Sequence, residues 1–187
     1  MHKHGIAARL FIAGTLATSL SATAQPPVPS AYAGGMPVSS VRVWELRVPQ
    51  AVSSSITVAT PVTDARMTTQ YVDGLGRPVQ AVVKQGSLVT GGSAKDLVSP
   101  VIYDEFGREQ YKYVPFAAGT TGGNTSVNDG RFKQNPFAQQ AAFMTAQYGS
   151  QGETYFYGKT VFEPSPLNRV AESFAPGNSW MGTAAEL

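Results

Sequence analysis

Tyr71-Val72-Asp73-Gly74-Leu75-Gly76-Arg77-Pro78 is followed, thirty-one residues on by its arginine, by Tyr103-Asp104-Glu105-Phe106-Gly107-Arg108. Each copy carries an aromatic residue, an Asp, a short turn containing Gly, and then Arg. Strand-like sequence flanks both, at residues 68–72 and 79–83 for the first and 97–103 and 110–114 for the second. Asp ahead of a turn accepts backbone N–H bonds, and Gly supplies positive φ where the chain reverses. Two copies of one hairpin unit, at 71–78 and 103–109, predict a repeat architecture.

Working outward, the strand pattern extends upstream. Residues 41–48 are rich in β-formers and alternate at both ends, and residues 54–62 predict a second strand with Ile56 and Val58 on one face. Gly86, Gly91 and Gly92 predict a loop between the two units. Beyond Phe116 the periodicity stops. Gly119, Gly122, Gly123, Asn124, Asn128, Asp129 and Gly130 predict a mobile polar loop. Phe137, Ala141, Met144 and Tyr148 then fall at helical spacing, with Pro136 in the first turn and Gly149 at the C-cap, so a short helix docked on the sheet is expected over 136–148.

Residues 153–162 predict a strand holding Tyr155, Phe156 and Tyr157, and it runs into a third, degenerate turn at 162–170. There Phe162 stands for the tyrosine, Glu163 for the acid, Asn168 for the positive-φ residue and Arg169 for the arginine. Arg108 to Arg169 is sixty-one residues, and an insertion holding the loop and helix accounts for the longer spacing. Trp180 is expected to anchor the C-terminal region.

The first 24 residues are expected to be removed. His2, Lys3, His4 and Arg9 form a basic head, residues 6–20 are mostly apolar, and Ala22-Thr23-Ala24 fits a signal cleavage site ahead of Gln25. The apolar run is short and rich in small polar residues, so no membrane span is expected after cleavage. Residues 25–40, with Pro26, Pro27, Pro29, Gly34, Gly35 and Pro37, predict an extended leader or linker, and 41–187 the β-rich module. The expected location is secreted or at the cell surface.

Losing Lys3 and Arg9 reduces fourteen basic residues to twelve, which match twelve acids. A mature chain of zero net charge without a basic cluster lacks the footprint of a nucleic-acid binder. Both histidines, His2 and His4, lie in the removed segment and there is no Cys. Ser-His-Asp and Cys-His nucleophilic sites, His-containing zinc sites and disulfides are therefore excluded from the mature chain, and no cofactor is expected.

The motifs resemble the signature of the YD-repeat, or Rhs-repeat, proteins of bacteria: Tyr103-Asp104-x-x-Gly107-Arg108, with variants over 71–77 and 162–169. The stretch from Tyr71 to Trp180 resembles more closely an N-terminal domain of unknown function that leads such proteins. Its landmarks are Asp73-Gly74-Leu75-Gly76-Arg77-Pro78, Pro100-Val101-Ile102-Tyr103-Asp104, Pro115-Phe116, Ala138-Gln139-Gln140-Ala141-Ala142-Phe143 and Phe162-Glu163-Pro164-Ser165-Pro166-Leu167-Asn168-Arg169-Val170. The resemblance implies β-hairpins joined edge to edge in a hollow shell, some shells enclosing a C-terminal toxin and others forming surface or adhesive structures. No long repeat array and no toxin domain precede Leu187, so the chain is expected to be a fragment, a truncated reading frame or a free-standing leader module.

The fold expected is mainly β: antiparallel hairpin repeats with one short α-helix, forming part of a shell. The function expected is that of a non-catalytic structural module that starts or caps the shell, its partner a downstream repeat shell in the same or another polypeptide. Its structural residues are Tyr71, Asp73, Gly76, Arg77, Tyr103, Asp104, Gly107, Arg108, Phe162, Glu163, Asn168 and Arg169. In this reading each Asp caps its turn, each Arg pairs with a carboxylate or carbonyl of the adjacent hairpin, and the aromatics stack on each other along the sheet. Two alternatives stand beside it. Tyr71, Tyr103, Tyr111, Tyr113 and Phe162 would form a sugar-stacking platform in a polysaccharide-binding or adhesion module. Asp73 with Asp104, or Asp104 with Glu105, would serve as a glycosidase carboxylate pair, which needs no His. Asn124, Asn128 and Asp129 match no known calcium loop.

Overall fold

The computed structural model describes residues 28–49, 53–87, 92–124 and 126–182. The segment expected to be a signal, 1–24, and part of the loop around Gly91 lie outside these residues. Among the described residues, two antiparallel sheets make up the β structure. The first holds β1 (Ser39–Leu46), β2 (Ala65–Val72), β3 (Pro78–Val83), β4 (Leu97–Pro100) and β6 (Phe116–Ala117), adjacent in that order. The second holds β5 (Tyr111–Tyr113), β7 (Tyr157–Phe162) and β8 (Val170–Phe174). One α-helix, α1 (Pro136–Tyr148), falls between β6 and β7 in the chain. The fold is mainly β with one short helix.

The strand β2 shows why the first sheet has an inner face. Ala65, Met67, Thr69 and Tyr71 are buried, while Arg66, Thr68, Gln70 and Val72 alternate with them on the outer side. Tyr71, Val79, Val82, Val98, Phe116, Ala118 and Met144 form the main core, so α1 delivers Met144 onto the sheet. Phe137, also on α1, meets the rings of Tyr32 and Tyr113 and thereby joins the helix to the second sheet. A smaller core of Tyr155, Tyr157 and Met181 lies under that sheet.

Several expectations are corrected. No strand forms over 54–62. Thr57 accepts from Ala59 N–H through Oγ1, Thr57 N–H donates to Thr60 Oγ1, and the backbone closes from Thr60 N–H to Thr57 O. Local hydroxyl and backbone bonds of this kind compete with a sheet ladder. Residues 28–38 are no free linker: Tyr32 Oη lies 2.8 Å from Val79 O and 2.9 Å from Val101 O, and its ring packs on Phe132. Trp180 is 70% exposed, and it is Met181 that anchors the region, fully buried.

The second repeat is not a hairpin. β4 and β5 lie in different sheets. The free edge of β4 is taken by β6, through Leu97–Ala117 and Val98–Phe116 pairing, and Phe116 is fully buried there. The outgoing chain consequently pairs with β7 instead. The 104–108 turn is a corner between sheets, whereas the 73–77 and 163–169 turns close true hairpins.

Candidate functional site

The first two turns are each built by their acid. Asp73 Oδ1 accepts from the N–H groups of Leu75 and Arg77, both at 2.9 Å, and Oδ2 accepts from Arg77 Nε at 2.8 Å. The backbone closes around it, with Asp73 N–H donating to Arg77 O and Gly76 N–H to Asp73 O. Asp104 repeats every one of these bonds: Oδ1 takes Phe106 N–H and Arg108 N–H, Oδ2 takes Arg108 Nε, and Asp104 N–H reaches Arg108 O. The third turn is two residues longer, and its acid is one methylene longer. Glu163 N–H donates to Arg169 O, and Arg169 Nε donates to Glu163 Oε2 at 2.9 Å. Gly76, Gly107 and Asn168 occupy the left-handed positions, at φ 80°, 77° and 52°.

Asp73 and Asp104 are held ionised by their turns. The Arg77 N–H, helped by the Arg77 guanidinium and Leu75 N–H and opposed by desolvation, leaves Asp73 below the ordinary carboxylate value. For Asp104, burial raises the value but is outweighed by the Arg108 N–H, the Arg108 side chain and Phe106 N–H. A glycosidase general acid needs the opposite shift. The Asp73 and Asp104 oxygens are occupied by bonds within their own turns.

The arginines point onward along the series. Arg77 Cζ stands 4.6 Å from the centroid of the Tyr103 ring, and Arg108 Cζ stands 4.6 Å from that of Phe162. The left-handed residue of the following turn touches the same guanidinium: a Cβ on Gly107 would lie 3.1 Å from Arg77 Nη1, and Arg108 Nη1 donates to Asn168 Oδ1 at 3.3 Å. The backbones follow suit. Val101 N–H donates to Val79 O, and Thr160 N–H donates to Gln110 O. In both junctions the carbonyl two residues past the arginine takes the N–H two residues before the ring. The strand leaving one turn pairs with the strand entering the next, and the arginine stacks on that next turn's aromatic residue.

This arrangement differs from the expected one in three respects. Each Arg pairs with the acid of its own turn, and Arg108 in addition meets the expected carbonyl of the adjacent hairpin, Asn168 Oδ1. The motif aromatics do not stack on one another, because a guanidinium sits over each of Tyr103 and Phe162. Tyr71 is not their equivalent: Val72 precedes Asp73, and a one-residue offset turns a side chain to the other face. Tyr71 instead points into the core, donating from Oη to Gly130 O and meeting the edge of Phe132.

The expected sugar platform is dispersed for the same reason. Tyr71 is buried, Tyr111 packs edge-on against Tyr157, and Tyr113 meets both Phe137 and Tyr157. In the 119–130 loop Asp129 is taken by Arg131 N–H and Lys133 Nζ, its value lowered by those bonds against the raising effect of burial.

One polar cluster left no local signal in the sequence. Lys133 and Asp96 are both buried and 2.7 Å apart between Nζ and Oδ2. Asp96 also accepts from Gln85 N–H and Gly130 N–H, while Lys133 Nζ reaches Ser126 O. Gln80 closes the cluster on Lys133, accepting from its N–H and donating to its carbonyl. Thirty-seven residues separate the ion pair, a distance at which no local periodicity reports a partner. Among the described residues no group of acids and histidines is arranged to hold a metal, and no helix is long and apolar enough to cross a membrane.

The chain belongs to the family described as Domain of unknown function (DUF6443), whose model matches residues 43–186. No curated protein and no solved structure matches it.

Proposed function

We propose that this member of the family is a non-catalytic structural module of an exported Rhs/YD-repeat protein, which starts or caps a shell of β-hairpins. The observation that carries the reading is the junction built twice, with Arg77 on Tyr103 and Arg108 on Phe162. A unit that joins to its successor by one rule is suited to propagation, and a single active site has no use for three copies of one turn. Joining is by strand addition: backbone hydrogen bonds hold the strands together, and the arginine and ring fix the register. The basic-apolar-small pattern of residues 1–24 supports export.

The test is the coding sequence around this gene. The reading predicts hairpins with an aromatic residue, an acid, a left-handed Gly and an Arg, recurring either in frame downstream or in an adjacent gene. Their absence from both places would contradict it.

A second reading, a carbohydrate-binding or adhesion module, is favoured by one surface groove of about 730 Å³. Phe106, Arg108, Phe162 and Glu163 line it, and Phe106 is 70% exposed. An open aromatic ring beside charged hydrogen-bonding groups suits a sugar face. This reading predicts retention on polysaccharide gels that Phe106→Ala abolishes without changing the melting temperature. Unretarded migration of the wild-type chain would remove it.

A further inference from the structure

We infer that β8 and Arg169 form an open growing face that accepts the entering strand of one more hairpin, whose turn has an aromatic residue directly before its acid. The inference rests on the structural-module reading and adds to it a direction and an address. Arg77 and Arg108 each carry the ring of the following turn. Arg169 is built into its turn in the same way, yet its side chain is 66% exposed and no ring stands over it among the described residues. β8 is likewise the strand leaving its turn; among the described residues it pairs only with β7, and it is exposed from Val170 to Ser173.

The register supports the same address. In both hairpins the outgoing strand skips one residue beside its turn, Val79 in β3 and Ala171 in β8. Both lie two residues past the arginine. Val79 O is the acceptor for Val101 N–H at the first junction, so Ala171 O is the corresponding acceptor for the next strand.

The series is closed at its other end. The residue before the first acid is Val72, which offers no ring, and Tyr71 is committed to the core. The edge of β2 that a preceding strand would take is already paired with β1 along its whole length. The module therefore begins a series and does not end one. A second copy of the chain is a poor occupant of the open face, because its Tyr103 and Phe162 rings already carry Arg77 and Arg108. The occupant is a further hairpin with a free ring.

The test uses the full chain, extended after Leu187 by a flexible Gly/Ser linker and a second copy of residues 155–176. Tethering supplies a high effective concentration of a hairpin whose phenylalanine is free. Side-chain NMR of Arg169 and amide exchange are then recorded. The expected result is an upfield ring-current shift of the Arg169 Nε–H resonance and exchange protection of the appended threonine that corresponds to Thr160. Replacing the appended phenylalanine by leucine should reduce the docked-to-undocked ratio roughly fivefold. Absence of the shift, a shift equal in the leucine version, or protection of the outer edge of β1 instead would each overturn the inference. An encoded repeat array with no docking here removes the address and leaves the shell reading. Docking here with no encoded array does the reverse.

Discussion

At the scale of single residues, the turns show how one acid organises five or seven positions. The left-handed residues differ in their surroundings, and this difference makes a prediction. A Cβ on Gly76 meets nothing within 4 Å, whereas one on Gly107 comes to 3.1 Å from Arg77 Nη1. Gly76→Ala should cost only the left-handed strain, about 1–2 kcal/mol by denaturant melting. Gly107→Ala should cost that and also disturb the guanidinium over Tyr103, so it should be the more destabilising of the two. The acids carry a pH dependence. Both folded values lie below the ordinary 3.8, so the unfolded chain takes up protons first as the pH falls. The stability these carboxylates supply is present above that value and lost below it. The melting-temperature gap between wild type and the Asp73→Asn/Asp104→Asn double variant should hold steady above about pH 5 and narrow as the pH falls from there through the folded values.

At the scale of elements, local chemistry was readable and long-range pairing was not. The helix over 136–148 follows from apolar spacing, Pro136 and Gly149, all of which act within a few turns of chain. The turn acids, the left-handed Gly and Asn, and the arginines were readable for the same reason: every bond that builds a turn spans seven residues or fewer. The corner at 104–108 was not readable, because whether β4 pairs with the returning strand depends on β6 claiming its edge. Nor did the sequence reveal that the Thr57 and Thr60 hydroxyls would fold this segment into turns, since Ile56 and Val58 alternate as a strand would. The buried Lys133–Asp96 pair illustrates the limit most clearly. It ties the loop before α1 to the start of β4: Asp96 takes Lys133 Nζ with the N–H groups of Gln85 and Gly130, and Lys133 Nζ also reaches Asp129 and Ser126 O. Lys133→Met keeps the volume but leaves Asp96 without its counter-charge. A loss of about 3–5 kcal/mol is expected in denaturant unfolding at neutral pH. A loss under about 1 kcal/mol would mean that backbone donors alone suffice for the carboxylate.

At the scale of the whole molecule, three turns and two sheets form one directional series. β1 covers the beginning, the arginine–ring junctions link the successive turns, and β8 with Arg169 lies at the far side. The central claim is that the arginine of one turn and the aromatic residue of the next act together as the joint between repeats. A double-mutant cycle on Arg108→Gln and Phe162→Leu, read by denaturant unfolding, tests it most directly. The account predicts a coupling of about 1 kcal/mol between the two sites, as for a cation held over an aromatic face. Two changes that add within about 0.3–0.5 kcal/mol, as independent sites do, would contradict it.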